Sequence, residues 1–201
     1  MKTRTIVIAS VAVLAGLALA FLINNLLFPS YTYQGSVIDP PLPAWSLELL
    51  DQDGETFRLS DQRGKVVMIY FGYTFCPDVC PTTLTDLKYV YENLDEQAQD
   101  VEVVFVTVDP PRDTREHVKS YLSSFNPDFI GLVDTTANMQ DVWERYGVYV
   151  EAEETGDDNY LVDHSSRVYV IDPNGGFALS FPFGMEREAM LDDITFMLKN
   201  Q

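Results

Sequence analysis

YFGYTFCPDVCPTTL, residues 70–84, holds both cysteines of the chain, Cys76 and Cys80, with three residues between them and a proline after each. Just upstream, residues 66–75 form a continuous apolar and aromatic run, the pattern of a strand buried on both faces. Downstream, Leu84, Leu87, Val90, Tyr91 and Leu94 recur at helical spacing. Pro81 suits a first helical turn, where its missing N–H would have had no partner anyway. The cysteines therefore fall where a central strand passes into a helix.

Working outward, the two periods alternate. Residues 47–59 read as a hairpin around Asp53-Gly54. Residues 101–108 read as a strand ended by Asp109-Pro110-Pro111, residues 114–125 as a helix with Val118, Tyr121 and Leu122 on one face, 129–133 as a short strand and 139–146 as a helix. Residues 151–159 are acidic, without a large apolar side chain, and read as a loop. Residues 167–171 and 177–181 read as strands joined by the tight turn Pro173-Asn174-Gly175-Gly176, hence antiparallel. Residues 185–198 close the chain as an amphipathic helix, with Met190, Ile194, Met197 and Leu198 turned inward. The expected class is α/β: a mixed central sheet with parallel inner strands, flanking helices and an N-terminal hairpin extension. A cysteine pair where the first long strand meets its helix makes this the thioredoxin-like arrangement.

Composition narrows the function. The chain has 201 residues, 46% of them hydrophobic, with 31 Asp and Glu against 13 Lys and Arg. That suits one domain plus extensions. It argues against nucleic acid as a partner, because phosphate binding needs a basic face. The acidity fits a solvated surface or attraction to a cationic partner.

Residues 1–29 differ in kind. Lys2 and Arg4 precede an uncharged apolar run over 6–23, which continues to Leu26-Leu27-Phe28. A run of about 18 or more apolar residues spans a bilayer as a helix. Positive charge before it and none just after it put the N-terminus in the cytoplasm. Ala18-Leu19-Ala20 fits a signal-peptide cleavage site, but apolar sequence continues beyond it, which favours an uncleaved transmembrane helix. No Arg- and Ser-rich transit peptide precedes the run. The expected location is a bacterial inner membrane, single-pass, with the domain on the periplasmic side. Residues 30–43, with Pro40, Pro41 and Pro43, read as an extended linker, and residues 44–201 as the thioredoxin-like domain.

The cysteine pair admits three chemistries. A structural disulfide suits an exported protein but would close a loop of three residues and gain little entropy. Thiol-disulfide exchange suits thiols at a helix start, where backbone N–H groups lower the pKa, although the usual redox spacing is two residues. Metal binding suits two thiolates four positions apart, and soft thiolates select Cu(I) or Zn(II). Structural zinc usually takes four ligands, so with two cysteines any further soft or borderline ligand is His or Met. His117 lies in the charged stretch 112–119 and reads as solvated. His164, in YLVDHSSRVYVID, precedes a core strand and falls at the sheet end that carries the cysteines, which makes it the third ligand. Two thiolates and one imidazole suit three-coordinate Cu(I), with an oxygen or water completing Cu(II).

The neighbours have candidate roles. Asp78 supplies a weak oxygen ligand, attracts a copper donor or caps the helix. Asp163 orients the imidazole or belongs to a turn. Pro77 and Pro81 stiffen the loop. Residues 109–113, at the strand end, read as partner surface or structural turn, and Met139 and Met190 as core. The acidic stretch before His164 reads as mobile, letting the imidazole swing in when copper binds and out when it leaves.

Three separated stretches, FGYTFCPDVCPTTL, VTVDPPRDT and YLVDHSSRVYVIDPNG, together resemble the SCO/SenC family of cytochrome oxidase copper-assembly proteins, over residues 43–200. The resemblance implies a membrane-tethered thioredoxin-like domain that binds copper through Cys76, Cys80 and His164. It implies delivery to the binuclear copper A centre of cytochrome c oxidase subunit II. Some members are thought instead to reduce the cysteines of that centre, so thiol redox is the alternative role. Members often carry His before the first cysteine, where this chain has Phe75. The expected activity is that of a metallochaperone rather than an enzyme, with a copper donor chaperone and a thiol reductant as partners, because both thiols must stay reduced in an oxidising compartment. A thiol peroxidase shares the fold but wants Thr-x-x-Cys, which Tyr73-Thr74-Phe75-Cys76 does not provide.

Overall fold

The computed structural model describes residues 8, 13–21, 31–153 and 160–200. The chain divides into two units, Met1–Thr32 and Tyr33–Gln201. In the first, residues 13–21 are helical. Among the described residues no helix is long and apolar enough to cross a membrane. Most of the transmembrane helix expected from the sequence lies outside the described residues.

The second unit is built on β4 (Val66–Gly72), all seven residues of which are buried, as its unbroken apolar run dictates. It pairs in parallel with β5 (Val101–Thr107), which pairs in parallel with β6 (Ile130–Leu132). On its other side β4 pairs antiparallel with β9 (Val168–Ile171), and β9 with β10 (Gly176–Phe181). The tight turn joining them rests on Gly175, whose φ of 75° suits a residue without Cβ. β1 (Ser36–Pro43) completes the sheet at the β10 edge, giving the order β1-β10-β9-β4-β5-β6. Residues 36–43, expected as free linker, are thus extended but paired into the sheet. Proline cannot donate to a ladder, so an edge is where a strand with three prolines fits, and its register shifts between Val37 and Leu42. β2 (Glu48–Leu50) and β3 (Thr56–Arg58) form the expected hairpin as a separate two-stranded sheet.

Helices flank the sheet. Tyr70 and Phe71, adjacent on β4, point to opposite faces. The Tyr70 ring packs on Phe105, and Phe105 on Tyr121 of α2 (Arg115–Ser123). The Phe71 ring packs on Tyr169 and on Tyr146 of α3 (Thr136–Tyr146). α1 (Val79–Glu92) and α4 (Arg187–Lys199) pack against one another, and α4 reaches β4. Met139 and Met190 are buried in this core, as their spacing predicts. β4, β5, β6 and β10 run in one direction, so their C-terminal ends share one edge, where open α/β sheets carry their sites.

Candidate metal centre

At that edge, donor atoms from two distant parts of the chain converge. The Sγ atoms of Cys76 and Cys80 and a ring nitrogen of His164 all lie within 4.8 Å of one another. The helix start places the sulfurs. α1 begins at Val79, so Cys80 and Pro81 stand in its first turn, where backbone N–H groups have no helical partner. The Cys80 N–H donates to Cys76 Sγ at 3.4 Å. The sulfur thus takes the place of a side-chain cap, which the exposed Asp78 does not supply.

The two thiols differ. Cys80 is wholly buried, while Cys76 is half-exposed. A hydrogen bond from the Cys80 thiol, with help from the His164 ring and the backbone N–H groups of Asp78 and Cys80, outweighs burial and lowers Cys76 to about 3. The same bond, together with burial, raises Cys80. The pair therefore rests as a Cys76 thiolate beside a Cys80 thiol. Burial, then the nearby Cys80 sulfur, raises the Tyr70 phenol.

His164 ends β8 (Leu161–His164), its Nε2 lying 3.5 Å from Cys80 Sγ. Its ring packs edge-on to Tyr73 and Tyr70, with centroids 5.8 and 6.4 Å away. Nδ1 lies 3.0 Å from the Ser165 carbonyl oxygen, which can only accept. Nδ1 therefore donates to that oxygen, which leaves Nε2 as the ring nitrogen turned toward the sulfurs. The orienting partner is that carbonyl rather than Asp163, which is exposed and points to the opposite face of β8.

The acidic stretch departs from its reading as a loop. β7 (Val150–Glu153) pairs antiparallel with β8, Val150 opposite His164. His164 stands on a paired strand, tied further by Ser165 N–H to the Tyr149 carbonyl at 3.1 Å. Residues 154–159, the remainder of that loop, lie outside the described residues. His117 is exposed, as read, with its ring edge-on to Phe75 at 5.0 Å.

Several supporting residues escape a sequence reading. A Cβ at Gly72 would lie 3.1 Å from Cys80 Sγ and 2.9 Å from ring carbons of Tyr70 and Phe105. Glycine inside a strand pattern signals such a close approach. Asp113, wholly buried, accepts from the Thr74 backbone N–H, from Thr74 Oγ1 at 2.6 Å and from Thr107 Oγ1 at 2.6 Å, fixing the segment that leads to Cys76. No local signal connects residues 74 and 113.

Comparison with known proteins agrees with this geometry. Residues 43–199 match the family described as SCO1/SenC. A SCO2-like protein of Rickettsia conorii is 35% identical over 191 residues, 92% of this chain and 93% of the relative. Among solved structures, Bradyrhizobium japonicum ScoI with copper bound is 36% identical, with a TM-score of 0.71 over 76% of this chain and 98% of that one. The solution structure of apo Sco1 from Thermus thermophilus is 33% identical, with a TM-score of 0.76 over 84% and 99%.

Proposed function

The chain belongs to the SCO1/SenC family, and from that premise we propose that it is a copper carrier for cytochrome c oxidase assembly. Copper is its cargo, held by Cys76, Cys80 and His164. The observation that carries this is the convergence of two sulfurs and an imidazole nitrogen within 4.8 Å. The donor set fits: two soft thiolates with one borderline nitrogen select Cu(I) and leave a position open for Cu(II). The copper-bound structure of Bradyrhizobium japonicum ScoI supports it.

Each side chain has a part. Cys76, charged and half-exposed, meets incoming metal and is the sulfur a receiving protein reaches first. Cys80 loses its proton on binding and holds the metal against the helix start. His164 closes the site from the β7–β8 hairpin. The family resemblance makes the copper A centre of subunit II the recipient and a copper chaperone the donor. The apolar segment near the N-terminus supports tethering to a bacterial inner membrane, with the site on the periplasmic side.

Thiol redox is the second role, favoured by the contrast between a half-exposed Cys76 thiolate and the buried Cys80 thiol. In that role the Cys76 thiolate attacks a partner disulfide, giving a mixed disulfide and one partner thiolate. Cys80 then displaces the second partner thiolate, so the partner gains two electrons and this chain is oxidised to Cys76–Cys80. The deciding experiment compares Cys76→Ala, Cys80→Ala and His164→Ala for Cu(I) affinity and for oxidase assembly in cells. Copper delivery requires all three residues; intact assembly with His164→Ala but not Cys76→Ala would leave redox as the main role.

A further inference from the structure

The loop after β5 makes a set of contacts that copper ligation alone does not explain. The Arg112 guanidinium lies over the Tyr160 ring, its carbon 3.6 Å from the ring centroid, and 4.9 and 5.7 Å from those of Phe75 and Tyr73. Its Nε pairs with the buried Asp109 carboxylate, and its Nη1 donates to the Tyr160 carbonyl at 2.8 Å. The Tyr160 hydroxyl returns to Asp109 at 2.5 Å. Guanidinium, carboxylate and phenol thus form a closed triangle across 51 residues of chain.

Both halves of the metal site are attached to this loop. Tyr160 immediately precedes β8, whose Val162 N–H donates to the Tyr73 hydroxyl at 3.2 Å. Asp113, at the loop's other end, holds Thr74 on the cysteine side. The loop itself is stiff, with Asp113 N–H donating to the Asp109 carbonyl at 2.9 Å. Phe75, between Cys76 and Thr74, packs against the same guanidinium that grips Tyr160.

We infer that Arg112 is a positioning residue, fixing the β8 strand so that His164 Nε2 faces Cys80. This rests on the copper-carrier reading and deepens it. Only arginine offers a planar fork that pairs with a carboxylate, donates to a carbonyl and stacks on aromatic rings together. Lysine keeps the charge but loses the fork and the flat stacking face. Loss of such an outer partner typically weakens metal affinity by about 10- to 100-fold.

The test is a double-mutant cycle on the full chain, with Cu(I) as probe in competition with a chelator. Arg112→Lys is expected to weaken Cu(I) binding about tenfold when His164 is present and to cost nothing more in the His164→Ala background. Cu(II) bound to Arg112→Lys should show a changed electron paramagnetic resonance spectrum. An equal loss in both backgrounds, or none in either, overturns the inference. Should Arg112→Lys fail to fold, Tyr160→Phe, which removes one hydroxyl, takes its place with the same expectations. Amide exchange over residues 161–164 of the metal-free chain separates this from failure of the copper reading. Faster exchange in Arg112→Lys supports the positioning role even if wild type binds no copper, and unchanged exchange contradicts it.

Discussion

His164 Nε2 lies 3.5 Å from Cys80 Sγ, although 84 residues of chain separate them. One sits at the end of β8 and the other in the first turn of the helix after β4, and the antiparallel pairing of β4 with β9, the strand that follows β8, brings them to one end of the sheet. The imidazole's other nitrogen is committed to the Ser165 carbonyl, so the nitrogen facing sulfur is the one able to bind metal.

That commitment makes a prediction about Asp163. Asp163→Ala should leave Cu(I) affinity within about twofold of wild type, because the carboxylate faces away from the ring and a backbone carbonyl orients it. Competition titration with a Cu(I) chelator checks this. A loss of tenfold or more would mean that the carboxylate reaches the imidazole after all.

Thiol reactivity follows from the shared proton. An ordinary thiol, with a pKa of about 8.5, slows about tenfold per unit of pH below that value. Cys76 is lowered to about 3, so it stays a thiolate from neutral pH down to the acid range and loses reactivity only as pH approaches 3. Alkylation of the reduced, metal-free chain by iodoacetamide should therefore be nearly flat between pH 8 and pH 5, with Cys76 modified and the buried Cys80 spared. Mass spectrometry of the modified chain reads both; a tenfold decline per unit across that window contradicts the assignment.

Gly72→Ala probes the packing behind the site. The added methyl would meet Cys80 Sγ at 3.1 Å and two aromatic rings at 2.9 Å. Overpacking of this kind costs about 1–3 kcal/mol. Thermal unfolding should report that loss, and Cu(I) affinity should fall with it because the displaced atom is one of the two proposed ligand sulfurs. Unchanged stability and affinity would show that the strand can relax away.

The unbroken apolar run over β4, the helical spacing after Pro81 and the Pro-Asn-Gly-Gly turn made the sheet and its helices readable from sequence, because each rests on local periodicity. His164 was readable for a different reason: in a chain with two histidines, one stood in a charged helix face and the other before a core strand. Other features depend on distant partners. β1 looked like linker because its prolines argue against a central strand, and only the free edge of β10 makes it one. β7 looked like loop because its polar residues hide a two-stranded pairing with β8. Asp78 and Asp163 drew attention as neighbours of the candidate ligands in sequence, whereas a sulfur and a carbonyl do the capping and the orienting. Arg112 and Tyr160 are joined by contacts that no spacing reveals.

X-ray absorption at the copper edge of the Cu(I)-loaded full chain, wild type beside His164→Ala, tests the central claim most directly. The account predicts one copper per chain bound by two sulfurs and one imidazole nitrogen, with the nitrogen lost in the variant. A sulfur-only site, or spectra that do not change when His164 is removed, would contradict it.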